Sequence, residues 1–117
     1  MLIEDFYTIG SVISEGYSLN ATLKLNENHV VYQGHFPNQP VVPGVIQLQI
    51  IKELLETNLN KSLQIVHIIQ AKYLRPIIPQ EYPELEVNIN RNNTDEETIR
   101  IDASIGITNT VFTKVKL

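Results

Sequence analysis

The stretch Gly34-His35-Phe36-Pro37-Asn38-Gln39-Pro40-Val41-Val42-Pro43-Gly44 packs one histidine, three prolines and two glycines into eleven residues. An imidazole has an ordinary pKa of about 6.5, so His35 can take or give a proton at neutral pH. Proline fixes φ and pushes the residue before it toward extended geometry, which makes Phe36, Gln39 and Val42 non-helical and the loop stiff. Read alone, a histidine at such a bend is more simply a residue that hydrogen-bonds backbone. His29 and His67 lack any comparable surroundings, and three scattered histidines without ligand spacing give no case for a metal site.

The loop must be positioned by the segment C-terminal to it. From Val45 to Leu59, the apolar residues Val45, Ile46, Leu48, Ile50, Ile51, Leu54, Leu55 and Leu59 occupy nearly every side of the first two helical turns. This predicts a helix buried all round, with Lys52, Glu53 and Glu56 marking an exposed end. Both glutamates are read as solvated helix charges, since carboxylates are seldom buried unpaired. Pro43 falls at or just before the first helical position, where its missing N–H costs little. The backbone N–H groups of Gly44 and Val45 then open the helix at the positive end of its dipole.

Nearly everything else reads as strand or turn. Tyr17 to Leu25 alternates apolar and polar residues, as do Leu85 to Asn90, Ile99 to Ile105 and Val111 to Leu117. Leu63 to Leu74 has strand composition throughout and is predicted to be a central strand, ended by Arg75-Pro76-Ile77-Ile78-Pro79. His29 to Gln33 is predicted to be short and extended after a turn at Asn26-Glu27-Asn28. Residues 2 to 9 fit a short helix ending before Gly10. Meander spacing implies antiparallel pairing. One apolar helix needs a concave apolar surface, so the expected class is α+β, with one curled antiparallel sheet of five to six strands wrapped around a central buried α-helix.

At 117 residues the chain is expected to form a single domain, residues 1–117. A formal net charge of -4 provides no positive field for nucleic acid. With no cysteine there is no disulfide and no thiolate chemistry. No apolar run reaches the roughly 18 residues that span a bilayer, and Met1-Leu2-Ile3-Glu4-Asp5 lacks the basic start of a signal peptide, so a cytoplasmic location is expected.

With those residues in place, the chain resembles the hotdog-fold 3-hydroxyacyl-acyl carrier protein dehydratases of fatty-acid synthesis. Their signature, Gly-His-Phe-Pro-Gly-x-Pro, two apolar residues and Pro-Gly before a helix, stands here as Gly34 to Gly44, with Asn38 in place of the usual glycine. A second family-like stretch is Lys72-Tyr73-Leu74-Arg75-Pro76. The resemblance implies a 3-hydroxyacyl thioester substrate and no metal or other cofactor. It assigns His35 as the group that removes the C2 proton, and Gly44 and Val45 as N–H donors to the thioester carbonyl. Active members carry Glu or Asp fourteen residues after the histidine; here that position is Gln49. An amide can hold a hydroxyl or a water but is no acid.

Phe36, Val41, Val42 and Ile46 are candidates for an acyl-chain tunnel, although ordinary core is the plainer reading of each. Lys72 and Arg75, joined by Lys61 or Arg91, are candidates for docking acyl carrier protein. The resemblance also implies a homodimer or higher even oligomer in which His35 of one chain faces Gln49 of the other. Three functions are compatible with these residues: a dehydratase, a noncatalytic acyl-chain or carrier-protein binding subunit that pairs with an active homologue, and, less well supported, a hotdog thioesterase.

Overall fold

The structure, a computed structural model, describes residues 5–34, 40–93 and 98–117. Six strands form one antiparallel sheet: β1 (Tyr7–Glu15), β2 (Ser18–Leu25), β3 (Gln70–Tyr73), β4 (Glu84–Asn93), β5 (Ile99–Ile107) and β6 (Thr110–Lys116). Their order in space is β1-β2-β4-β5-β6-β3. Two helices interrupt the strands, a single turn α1 (Val31–Gly34) and the long α2 (Gly44–Leu59). This is the expected hotdog arrangement, at the upper end of the expected strand count.

Register explains how the sheet makes a bed for α2. Alternate side chains of a strand share a face. The pairings place Leu19, Ile89, Ala103, Val115 and Ala71 in one row across five strands, beside a second row of Ala21, Val87, Ile105 and Thr113. Every apolar member of these rows except Ala71 is buried, and Ala71 packs against the core. Ile50, Ile51, Leu54 and Leu55 of α2 are buried with them. Full burial of one such aliphatic side chain is worth about 1.5–3 kcal/mol. Gly106, at the register shift between β5 and β6, is required by close approach: a Cβ there would stand 2.2 Å from the carbonyl oxygen of Thr110.

Four local expectations are corrected. Residues 7–9 belong to strand β1, not to a helix. Most of β1 is exposed and its register shifts between Ile9 and Ser11, so its alternation is blurred and the spacing of Phe6, Tyr7 and Ile9 imitates a helix. The stretch after Asn28 is not extended: His29 accepts from the N–H of Val31 through Nδ1 and from that of Tyr32 through its carbonyl, closing the turn α1. Phe6 packs on His29 and Tyr32, with ring centroids 5.1 and 5.7 Å away.

The third correction concerns Leu63 to Leu74. Only Gln70–Tyr73 is a strand, and it lies at the end of the sheet, not at its centre. Its composition is that of a buried strand, yet Val66, Ile68, Ile69 and Leu74 are exposed. The fourth concerns the glutamates of α2. Glu53 is buried, and Glu56 is half-buried and accepts the N–H of Leu63 at 2.8 Å. That bond helps turn the chain after α2, which stops at Asn60 in the left-handed region (φ 54°) that asparagine tolerates.

Candidate active site

The opening of α2 is held from three sides. Pro43 is the N-cap, extended at φ -60° and ψ 148°, and its carbonyl accepts from the N–H groups of Ile46 and Gln47. The N–H groups of Gly44 and Val45 therefore precede the first bonds of the helix, as its geometry requires. Val42 is fixed through both backbone groups: its N–H donates to Ile77 at 2.9 Å, and its carbonyl accepts the side-chain amide of Gln47 at 3.1 Å. On the third side the ring of Tyr73 covers Gly44 so closely that a Cβ there would lie 2.8 Å from the ring and its hydroxyl.

Gln47, which sequence reasoning passed over, is buried inside this frame, with 3% of its surface exposed. Its Nε2 donates to Val42 and its Oε1 accepts from Thr113 Oγ1 at 2.5 Å. The register that lines up Ala21, Val87, Ile105 and Thr113 turns a hydroxyl toward the helix, and an amide on α2 meets it. Both polar groups are thereby satisfied, as burial demands.

Nearly two turns further on lies a second buried polar group, Glu53. Gln49 Nε2 donates to Glu53 Oε2 at 2.9 Å, and Tyr7 Oη donates to Glu53 Oε1 at 3.0 Å. Residues four apart share a helix face, so the contact between Gln49 and Glu53 follows from spacing; Tyr7 arrives from β1. Burial comes first among the causes that raise the Tyr7 phenol well above its ordinary pKa, followed by the Glu53 charge and its hydrogen bond. The sequence signal that could have exposed Glu53 is that a helix apolar on nearly every side leaves no assured solvent face for a charge.

Of the residues expected at the site, His35 and Phe36 lie outside the described residues. Val42 is in the core, Ile46 packs against it, Val41 is half-buried, and Val45 is 74% exposed. Lys72 and Arg75 are exposed. Lys72 stands opposite Lys114, on the face of the sheet turned away from α2, where Lys116, Asp102 and Ser104 help line the same polar depression. Arg91 does not join them: it lies over the ring of Tyr17 at 5.0 Å, and three strand spacings, roughly 14 Å, separate its strand from β3.

Comparison with known proteins supplies the family context. The sequence profile of the ApeI-like family, described as ApeI dehydratase, matches residues 11–109. The 3-hydroxyacyl-[acyl-carrier-protein] dehydratase FabZ of Levilactobacillus brevis is 28% identical over 101 residues, covering 80% of this chain and 68% of that protein. FabZ of Haemophilus influenzae is 29% identical over 83 residues, covering 64% and 56%. The chain thus spans between about half and two thirds of the length of these curated relatives. Among solved structures, a chain of the dehydratase heterocomplex ApeI:P from Xenorhabdus doucetiae superposes with a TM-score of 0.73 at 20% identity, covering 93% of both chains. An uncharacterized protein from Erwinia carotovora subsp. atroseptica gives 0.66 at 21% identity, covering 93% of this chain and 89% of its own. At those identities the structural likeness speaks to fold.

Proposed function

Because the chain belongs to the ApeI-like dehydratase family, we propose that it removes water from 3-hydroxyacyl thioesters of acyl carrier protein and releases trans-2-enoyl thioesters for lipid assembly. The observation that carries this reading is the pinned opening of α2. Val42 is fixed at its N–H and its carbonyl, so the N–H groups of Gly44 and Val45 are offered in a set place at the head of a buried helix. Such donors stabilise negative charge as it develops on a thioester oxygen, and they depend on backbone geometry, not on side-chain identity.

In the proposed reaction His35 takes a proton from C2, and the electron pair of that bond moves toward the carbonyl, whose oxygen is met by Gly44 and Val45. The C3–O bond then breaks as the C2–C3 double bond forms. The departing hydroxyl takes up the proton that His35 removed, so the products are the enoyl thioester and water, with no net change in protons. Gln49 holds the hydroxyl through its amide and transfers no proton. General acid catalysis typically contributes ~100- to 10,000-fold, so turnover below that of a carboxylate-bearing relative is expected.

A second reading is favoured by that same amide. The chain would be an acyl-binding subunit whose catalytic carboxylate comes from a homologous partner. One assay separates the two. Purified protein is incubated with 3-hydroxyacyl and trans-2-enoyl carrier-protein thioesters, and hydration, dehydration and free thiol are followed together. Interconversion that is lost in His35→Ala supports the dehydratase. Tight binding without turnover supports the subunit, and thiol release would favour the thioesterase instead.

A further inference from the structure

The dehydratase reading leaves unexplained why α2 carries a carboxylate in its buried portion. Glu53 is 6% exposed, yet it holds a position that an aliphatic residue could fill at lower desolvation cost. Tyr7 Oη reaches it from β1 on Oε1, and Gln49 Nε2 reaches it from the preceding helical turn on Oε2. Gln49 stands at the position where the resemblance places the catalytic carboxylate. The carboxyl group missing from position 49 is therefore present one turn along, in hydrogen bond with the residue that replaced it.

The chemistry of the contact sets the orientation of the amide. An ionised carboxylate only accepts hydrogen bonds, so the end of the Gln49 amide that meets it must be the NH2, and the carbonyl oxygen Oε1 is turned away from Glu53. Without the carboxylate, an amide can present either end. We propose that Glu53 is a positioning residue of the site: clamped by Tyr7, it holds the Gln49 amide with Oε1 as the acceptor for the substrate's 3-hydroxyl, a role that rests on the dehydratase reading above. Position 49 then receives the hydroxyl as a carboxylate would, while the charge that fixes it sits out of reach of the substrate. Tyr7, half-buried and raised in pKa, stays protonated as a donor across the neutral range.

The pair is tested by exchange. Binding of 3-hydroxyhexanoyl-pantetheine and hexanoyl-pantetheine is measured calorimetrically for the wild type, Glu53→Gln, Tyr7→Phe and the double exchange Gln49→Glu with Glu53→Gln, and the fold of each variant is checked by circular dichroism. One well-made hydrogen bond to the hydroxyl gives the wild type about a tenfold preference for the hydroxylated ligand. Glu53→Gln weakens that preference several-fold, because the carboxylate no longer dictates which end of amide 49 faces it, and Tyr7→Phe weakens it as well. The double exchange restores it, since a carboxylate at 49 accepts the hydroxyl while the amide at 53 donates to it.

A wild type without the preference, a folded Glu53→Gln variant that keeps it, or a double exchange that fails to restore it each overturns the proposal. Turnover is scored separately. A wild type that shows the preference but no dehydration refutes the dehydratase reading and leaves the role of Glu53 standing, whereas dehydration without the preference does the reverse.

Discussion

Thr113 donates to the same buried amide, that of Gln47, that holds the carbonyl of Val42. Strand β6, helix α2 and the segment entering α2 are thus joined at one side chain. The site's geometry and the stability of the fold are coupled at this point, and substitutions here should register in both.

Thr113→Val keeps the shape of the residue and removes the donor, leaving Gln47 Oε1 buried without it. A loss of about 1–3 kcal/mol is expected, seen as a lower denaturant midpoint with an unchanged slope. Adding Gln47→Leu should cost less than the sum of the two single changes, because the partner left stranded by the first is then removed by the second. Additive losses would show that the two side chains do not act as a unit.

Gly44 and Tyr73 give a prediction whose sign depends on background. Gly44 is not in the left-handed region, so alanine is no burden to its backbone; the obstacle is the Tyr73 ring, 2.8 Å from where the new Cβ would stand. Gly44→Ala should destabilise the wild type by about 1 kcal/mol, within the usual range for overpacking. In a Tyr73→Ser background the same change should be neutral or stabilising, because alanine is the better helix former. Thermal melts of the four proteins in this cycle decide the matter, and a loss that persists without the ring would place the strain elsewhere.

Contacts of this kind differ from the elements that the sequence declares. Strands β2, β4, β5 and β6 were legible because each buries a face whose period matches its geometry, and helix α2 because it is apolar on nearly every side, although Val45 shows that it is not buried all round. Strand β1 was not, since a strand exposed on both faces for most of its length carries no alternation, and its register shift breaks what remains. The long apolar run before β3 signalled burial, and Leu63 and Ile65 do pack against the core, but Val66, Ile68 and Ile69 lie exposed. At the site, the start of α2 just after Pro43 could be anticipated from proline and glycine spacing, whereas the contacts of Gln47, Ile77 and Tyr73 that hold it could not. The burial of Glu53 could be suspected from a helix apolar on nearly every side, but its contact with Tyr7 could not, because that contact spans 46 residues and no local pattern encodes it.

Alkaline pH should expose the buried phenols. Burial raises the Tyr32 pKa to about 12, and burial together with Glu53 raises that of Tyr7 further. A group that holds its proton more tightly when folded contributes its full stability below its unfolded pKa, here about 10 for tyrosine, and loses it as pH climbs through the folded value. Stability should therefore be level to about pH 9.5 and fall from about pH 10 upward. Tyr32 Oη is buried without a hydrogen-bond partner among the described residues. Tyr32→Phe should then leave stability at about pH 7 unchanged or raise it by up to about 1 kcal/mol, and should flatten the alkaline fall. A marked loss at neutral pH would show that the hydroxyl has a role in the fold.

The end of the sheet carries the last prediction. Strand β3 is four residues long and, among the described residues, pairs with β6 on one side only, so its other edge presents backbone donors and acceptors. The adjoining residues Val66, Ile68, Ile69 and Leu74 are between 48% and 81% exposed. An apolar, unpaired edge is a template for a second chain, and a two-fold pairing would bury both copies of it at once. Light scattering after gel filtration is expected to find a particle of two chains, and Val66→Lys with Ile68→Lys should shift it to one by placing like charges against each other across the axis. Because the family resemblance sets His35 of one chain against Gln49 of the other, that monomer should also lose turnover while keeping its circular dichroism spectrum. A monomeric wild type, or a lysine variant that stays paired, would mean that this edge is not where the chains meet.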